Sequence, residues 1–291
     1  MNSQGLSFIV PVYNEENLLA DAIGKLKSAL SHIQIPHEII VVNDGSDDNT
    51  LKTAQDINGI RIISHDFNRG YGSAIKSGIK HSRFEWVGII DADGTYVVDR
   101  LPGLISEMQA GYDMVVGSRE DMYAGDGLVR KILRRIFIFM LKLLISSDIA
   151  DPNSGFRLFK RDMVSRFYNL LCGKFSFTTS LTIAAKGEHL KIRYIPVAYS
   201  PRLGKSNIRY KRDLFYILYY IILNMAVFYP ARLFLLLSIC SFFSIYLPAL
   251  AFINHDMAIV MPNALFLLIE VIILISLACF RFIFNVSKWK K

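Results

Sequence analysis

An α/β fold with a doubly wound, mostly parallel sheet is what this sequence predicts for residues 1–210, and three observations predict it. Short apolar, β-branched runs recur at Leu6 to Val10, Glu38 to Val42, Ile60 to Ser64 and Val87 to Ile90. Segments whose apolar residues keep helical spacing separate these runs. Each run ends in a polar cluster: Tyr13/Glu15, Asp44, Asn68/Arg69 and Asp91/Asp93. Strands that alternate with helices build a parallel sheet whose carboxyl ends share one edge, so clusters at that edge predict a pocket there.

In chain order, Leu6 to Val10 is the first strand and Pro11 closes it. Asn14-Glu15-Glu16 begins a helix, its acids placed where the helix dipole favours them, and Leu18, Leu19, Ala22, Ile23, Leu26 and Leu30 form its inner face. The second strand runs into a turn at Asn43-Asp44-Gly45-Ser46, and Asp47 or Asp48 caps a helix that continues through Ile57. After the third strand come Asn68-Arg69-Gly70-Tyr71-Gly72 and a helix through Ile79. Gly70 and Gly72 allow close backbone approach, but the segment lacks the Lys-Ser/Thr of a P-loop and the spacing of a dinucleotide site. The fourth strand drives into Asp91-Ala92-Asp93-Gly94. Two carboxylates separated by one small residue can reach a single hard cation; the competing reading is an Asp/Gly turn.

The composition is greasy, 52% apolar against 20% charged, and the grease is concentrated in 214–284. The net charge of +8 beside apolar segments points to anionic lipid rather than nucleic acid. Cys172, Cys240 and Cys279 form no CxxC pair and no zinc spacing, so we expect no disulfide and a reducing, cytosolic setting. The first residues lack the basic region and long apolar run of a signal peptide. Within 128–144, Leu128, Val129, Ile132, Leu133, Ile136, Phe137, Met140, Leu141 and Leu144 fall on one helical face, with Arg130, Lys131, Arg134, Arg135 and Lys142 on the other. This pattern predicts a helix lying in a membrane interface; a soluble helix packed on the sheet is the alternative. Residues 211–231 read as a juxtamembrane interfacial helix, and 232–291 as a transmembrane hairpin with spans near 233–253 and 259–281 and a basic tail. Asn254-His255-Asp256 between the spans carries no Lys or Arg, while Arg232, Arg281, Lys288, Lys290 and Lys291 flank them, which puts both termini and the first domain in the cytoplasm. Glu270 inside the second span calls for a protein neighbour and points to a homo-oligomer.

Taken together, IVPVYNEEN near the amino terminus, VVNDGSDDNT (41–50), NRGYGSAIKSGI (68–79), DADGTY (91–96), VGSR (116–119) and DPNSGFRLFK (151–160) resemble the inverting family 2 glycosyltransferases of the GT-A fold, over residues 5–210. The pattern is most similar to the polyprenyl-phosphate glycosyltransferases, the group that contains dolichol-phosphate mannose synthase. The resemblance implies that Pro11, Tyr13, Glu15 and Asp44 hold base and ribose, that Arg69, Gly70 and Ala92 line the same pocket, and that Asp91 and Asp93 form a DXD motif for Mg²⁺ or Mn²⁺. Asp93 would coordinate directly, and Asp91 would meet the metal or the ribose. YSPRLGKSNI (199–208) resembles the loop that closes over diphosphate and acceptor: Arg202, Gly204 and Ser206 match, whereas Asn207 stands where that loop usually has Lys, with Lys205 just before it.

An absence directs the acceptor reading. Inverting transfer to a sugar hydroxyl needs a general base, and Phe175 to Ser180 offers no acid. A phosphate acceptor, with its second pKa of about 6, needs cations to position it instead. Arg119, Arg130, Arg134 and Ser206 are the residues expected there, and Asp93, Arg119 and Arg202 those expected to carry catalysis. The sequence thus predicts a membrane-bound enzyme that moves a sugar from a nucleotide sugar, UDP-linked with GDP-mannose as the alternative, to a polyprenyl phosphate lipid. Two other readings stand beside it: a transferase acting on a glycan hydroxyl, and an inactive membrane scaffold of the same fold.

Overall fold

The computed structural model describes residues 5–121, 127–200 and 210–240. Seven strands, β1 (Leu6–Val12), β2 (His37–Asn43), β3 (Arg61–Ser64), β4 (Trp86–Ile89), β5 (Met114–Arg119), β6 (Arg157–Lys160) and β7 (Ile192–Val197), form one sheet in the order β3-β2-β1-β4-β6-β5-β7. The helices between and after them are α1 (Leu19–Ser31), α2 (Thr50–Gln55), α3 (Tyr71–Lys80), α4 (Leu101–Gln109), α5 (Leu128–Leu144), α6 (Arg161–Phe167), α7 (Phe177–Gly187) and α8 (Tyr210–Phe228). The first four strands are mutually parallel, as expected. β6 runs antiparallel between β4 and β5, and β7 is parallel to β5.

β1 is buried along its whole length and runs through Pro11, its predicted stop, to Val12. The reason is positional. The ladder to β4 ends at Ile9, where Ile90 N–H donates to the Ile9 carbonyl, while the ladder to β2 continues to Val12–Asn43. Residues 9 and 11 turn their backbone groups to the same side, so the missing N–H of Pro11 falls where no strand needs it. Helix α1 begins later than expected, at Leu19. Asn14 takes a left-handed φ of 57°, and the backbone N–H groups of Asn14, Glu15 and Glu16 donate to Ser46 Oγ, Thr50 Oγ1 and Asp48 Oδ2. Those side chains satisfy the donors that a helical first turn would have left open. Leu19, Ile23, Leu26 and Leu30 then bury one face of α1 against a core that includes Phe8, Val10, Ile39 and Val41.

Helix α5 covers the predicted 128–144, and most of its apolar residues are bare. Leu128 is 75% exposed, Leu133 61% and Phe139 65%. Only Ile138 and Leu141 are buried, so the packed face is narrow, and Lys131 and Arg134 lie half-buried on the same side. Leu141, Lys131 and Arg134 therefore depart from the sequence expectation, because the line 131, 134, 138, 141 is the one turned inward. Helix α8 covers most of the predicted 211–231. The chain divides into two compact units at Ile221–Ile222, past the expected boundary at 210. Among the described residues no helix is long and apolar enough to cross a membrane. The span predicted over 259–281 and most of that over 233–253 lie outside the described residues, as do Glu270 and Cys279; Cys172 and Cys240 are free thiols.

Glu38 ties the sheet's entry side together. Its Oε1 accepts from Ser7 Oγ (2.8 Å) and Arg83 N (2.8 Å), and its Oε2 from Arg61 Nη1 (3.0 Å). Burial alone would raise this carboxyl. The Arg83 backbone N–H, the Ser7 hydroxyl and the Arg61 guanidinium outweigh it and hold the carboxyl below its ordinary value. A depressed carboxyl stabilises the fold above its unfolded-state pKa and loses that contribution as pH falls through the folded value. Glu38→Gln should therefore lower stability at neutral pH by about 1–3 kcal/mol. Its denaturation midpoint should also fall less steeply on acidification than the parent's, as denaturant titrations from neutral to acid pH would show.

Candidate active site

Loops at the carboxyl ends of β1, β2, β3 and β4 surround a cavity of about 580 Å³. Its wall includes Pro11, Tyr13, Glu15, Asp44, Gly70, Asp91, Ala92 and Asp93, all expected from the sequence. It also includes Asn68, from the predicted cluster after β3, and Asn14, Tyr71, Asn153, Lys174, Phe175 and Thr178, which the sequence did not assign to it.

The first two loops are knitted by their own polar residues. Tyr13 donates its hydroxyl to Asp47 Oδ2 (3.1 Å), Asp47 N donates to Asn14 Oδ1 (2.9 Å), and Glu16 Oε2 accepts from both Asn49 N and Asn49 Nδ2 (2.9 Å each). Asp44 is buried, and its carboxylate is engaged from three directions: Oδ1 by His65 Nδ1 (2.7 Å) and Arg69 N (2.9 Å), Oδ2 by Gly70 N (2.7 Å). His65 Nε2 in turn meets Ser77 Oγ at 2.9 Å. Asp44 therefore shapes this end of the cavity by fixing the 68–70 loop. Arg69 contributes its backbone there; its guanidinium lies over the Phe67 ring, 5.2 Å from the centroid, and is not among the lining groups.

Gly70 and Gly72 do permit close approach, but the approaching backbone is the protein's own. A Cβ on Gly72 would lie 2.2 Å from the Cys172 carbonyl oxygen, and one on Gly70 2.4 Å from Lys174 Cδ. Segment 172–174 thus crosses the start of α3, where Ser73 N donates to the Gly173 carbonyl (2.9 Å).

Asp91 and Asp93 sit on either side of buried Ala92. Tyr71 donates its hydroxyl to Asp91 Oδ1 (2.8 Å), and burial followed by the Asp91 charge pushes the Tyr71 pKa well up, so the phenol stays a donor. The Tyr71 ring stacks on Phe175 at 6.0 Å. Asp93 Oδ1 accepts from Thr95 Oγ1 (2.7 Å) and Thr95 N (3.2 Å), the turn anticipated for Asp-Gly, yet both aspartates still face the cavity. Among the described residues no group of three His, Cys, Asp or Glu side chains could hold a metal ion unaided. Magnesium and manganese are commonly held by one or two carboxylates together with substrate phosphates, so this pair fits a cation that arrives with a diphosphate.

The segment 151–157 had no assigned role in the sequence beyond the resemblance. It is the buttress of the site. Asp151 takes Arg119 in a two-point fork, Nε to Oδ2 and Nη2 to Oδ1, both 2.7 Å. Burial would lower the Arg119 pKa, and the Asp151 carboxylate overrides it and raises it. Arg119 is accordingly a matched pair beside the Tyr199 ring and does not line the cavity. Asn153 reaches the cavity and accepts from Thr179 Oγ1. Gly155 N donates to Tyr96 Oη (2.8 Å). Arg157, fully buried, donates to the carbonyls of Ser154, Pro152 and Thr178 and to Thr182 Oγ1, which locks the segment to α7. Arg130 and Arg134 lie on α5 and are not among the residues that line the cavity, and Arg202 and Ser206 lie outside the described residues.

The sheet has counterparts among known proteins. Glycosyl transferase family 2 matches residues 7–167, more than half of the chain, and the chain belongs to that family. It is 31% identical to a low-salt glycan biosynthesis hexosyltransferase from Haloferax volcanii over 70% of this chain and 49% of that protein. It is 29% identical to a dolichyl-phosphate β-glucosyltransferase from Trichomonas vaginalis (70% and 66%). A dolichol-phosphate mannosyltransferase from Pyrococcus furiosus is 28% identical (71% and 60%). The matched part thus spans 49% to 66% of these relatives' own length. In fold, the chain is similar to glucosyl-3-phosphoglycerate synthase from Mycobacterium tuberculosis, with a TM-score of 0.60 at 18% identity over 77% of this chain and 79% of that one. A crystal structure of that synthase holds Mn²⁺ and UDP. At this identity the likeness establishes the GT-A fold alone.

Gly155 yields a sharp test. Its φ is not left-handed, so alanine suits the backbone, but a Cβ there would lie 2.2 Å from Asp91 Oδ2 and 2.6 Å from its Cγ. Gly155→Ala should displace the Asp91 carboxylate. The expected result is weakened Mn²⁺-dependent nucleotide binding in calorimetry, by at least ~10-fold for one lost charge-assisted contact, with the thermal midpoint nearly kept.

Proposed function

We propose that this protein transfers a hexose from a nucleotide sugar, with a UDP-sugar favoured over GDP-mannose, to the phosphate of a polyprenyl lipid at a membrane surface. The observation that carries the reading is the juxtaposition in one domain of a carboxylate-lined cavity and α5, with its long bare apolar stripe. A soluble protein rarely exposes so continuous a stripe without a partner. The exposed Arg130, Arg135 and Lys142 beside it suit anionic headgroups. The names of the relatives, two of which are dolichyl- or dolichol-phosphate transferases, support the same acceptor.

In this reading Tyr13, Glu15 and the loop fixed by Asp44 receive the nucleoside, and Asp91 and Asp93 hold Mg²⁺ or Mn²⁺ with the diphosphate. When bound, the cation offsets charge developing on the leaving nucleoside diphosphate. Tyr71 and Gly155 hold Asp91 in place for it. An oxygen of the lipid phosphate attacks the anomeric carbon, the bond from that carbon to the diphosphate oxygen breaks, and the configuration inverts. No proton needs removal from a phosphate that is already largely dianionic. The α7 side of the cavity offers Asn153, Lys174 and Thr178 and no carboxylate among the described residues, which disfavours a glycan hydroxyl as acceptor. We place the catalytic domain on the cytoplasmic face, with the predicted hairpin as anchor; Arg202 and Ser206 would join Arg119, Arg130 and Arg134 around the acceptor phosphate.

Purified protein with Mn²⁺ or Mg²⁺, a short polyprenyl phosphate and a panel of labelled UDP- and GDP-sugars should give a lipid-extractable product. Asp93→Asn should abolish it. Transfer only to glycan hydroxyls, or to nothing in the panel, would sink the reading. A separate expectation concerns α5. Leu133→Glu with Ile136→Glu should cut transfer to long-chain polyprenyl phosphate in anionic vesicles at least ~10-fold, since each apolar side chain withdrawn from lipid forfeits roughly 1.5 kcal/mol or more. Nucleotide affinity should be unchanged.

A further inference from the structure

The cavity wall is electrostatically lopsided. Among its described residues the charged side chains are Glu15, Asp44, Asp91, Asp93 and Lys174. Four carboxylates face one ammonium, and a diphosphate adds further negative charge. Lys174 is also oddly placed for a purely structural lysine. Its stem runs directly over the Gly70 α-carbon: a Cβ built there would lie 2.4 Å from Lys174 Cδ and 2.9 Å from Nζ. Gly70 is the N-cap of the ten-residue helix α3, whose amino end carries the positive end of the helix dipole. An ammonium at that end is repelled unless an anion sits between them. Nζ donates to the Arg69 carbonyl (2.6 Å), its one hydrogen bond among the described residues, and a lysine ammonium has three donors to give. Phe175 and Tyr71, stacked beside it, close the wall towards Asp91.

We propose that Lys174 is a substrate-binding cation for the diphosphate of the donor, a role that rests on the nucleotide-sugar reading above. Asp91 and Asp93 approach the phosphates from one side of the cavity and Lys174 from the α3 side. As the bond between anomeric carbon and diphosphate oxygen breaks, the electron pair stays on that oxygen. The ammonium keeps its protons and stabilises the new charge. The Arg69 carbonyl holds the lysine in place, which explains why that loop is anchored so firmly to Asp44.

The test measures binding of UDP, GDP, UMP and GMP to the full chain with Mg²⁺, by calorimetry, for the parent, Lys174→Gln, Lys174→Met and Lys174→Arg. Glutamine can still donate to the Arg69 carbonyl, so it separates charge from tethering. The glutamine and methionine variants should weaken the preferred nucleoside diphosphate about 10- to 100-fold, as expected for one charge-assisted contact. The matching monophosphate should change little, and arginine should restore most of the loss. Equal weakening of mono- and diphosphate, or no weakening of either, would overturn the role of Lys174 and leave the nucleotide-sugar reading intact. A parent protein that binds neither UDP nor GDP would instead remove that reading, and this one with it.

Discussion

The contact on which the site depends is that between the Asp91 carboxylate and the bare α-carbon of Gly155. It follows from strand register. β6 lies antiparallel to β4 with Ile89 opposite Arg157. Two residues further along β4 and two back along β6 bring Asp91 opposite Gly155. Any side chain at 155 would occupy the space of the carboxylate. The single antiparallel strand in an otherwise parallel sheet therefore has a local purpose: it delivers a glycine, and the buttress 151–157 behind it, to Asp91, the first aspartate of the pair. Tyr96 then ties the two sides, accepting from Gly155 N while its ring meets Phe156 and Tyr199.

A second layer of constraint holds the end of the cavity formed by the first three strands. The loops after β1 and β2 have little regular structure, yet each backbone donor from Asn14 to Glu16 finds a side-chain oxygen on the neighbouring loop. This is why Asn, Asp, Ser and Thr crowd 43–50. They replace the ladder that ends at Asn43. Asp44 extends the same logic to the third loop through His65, Arg69 and Gly70. Three strand ends become one rigid rim, and removing the Asp44 carboxylate would leave two backbone N–H groups and a buried imidazole without their acceptor.

Much of this was legible in the sequence for physical reasons that can be named. Parallel strands buried on both faces are near-continuous apolar runs, so β1, β2 and β4 announced themselves. The amphipathic period of 128–144 fixed α5 to the residue, although not which of its faces turns inward, because Ile138 and Leu141 sit beside Arg134 and Lys131 on the inward line. The four-residue β6 was not legible: period-two patterning carries no information on direction, and its role emerges only from pairing at long sequence separation. The same distance in sequence hid Lys174 and Asn153, which reach the cavity from segments far from the strand ends. It also hid the fork between Arg119 and Asp151, whose partners lie more than thirty positions apart.

Charge then decides what the cavity can hold. A pocket rich in carboxylates repels a nucleotide sugar unless cations intervene, and the rim offers them sparingly. Arg119 is matched by Asp151, Arg69 turns its guanidinium to Phe67, and Arg157 is buried behind the wall among carbonyls and hydroxyls. What remains at the wall is a pair of aspartates suited to a divalent cation and one lysine held over a helix amino terminus. Those groups lie on different segments, one fixed by β4 and β6, the other by the crossing of 172–174 over α3. An anion that bridges them would draw the two halves of the site together, so binding and ordering of the cavity are coupled by the same electrostatics.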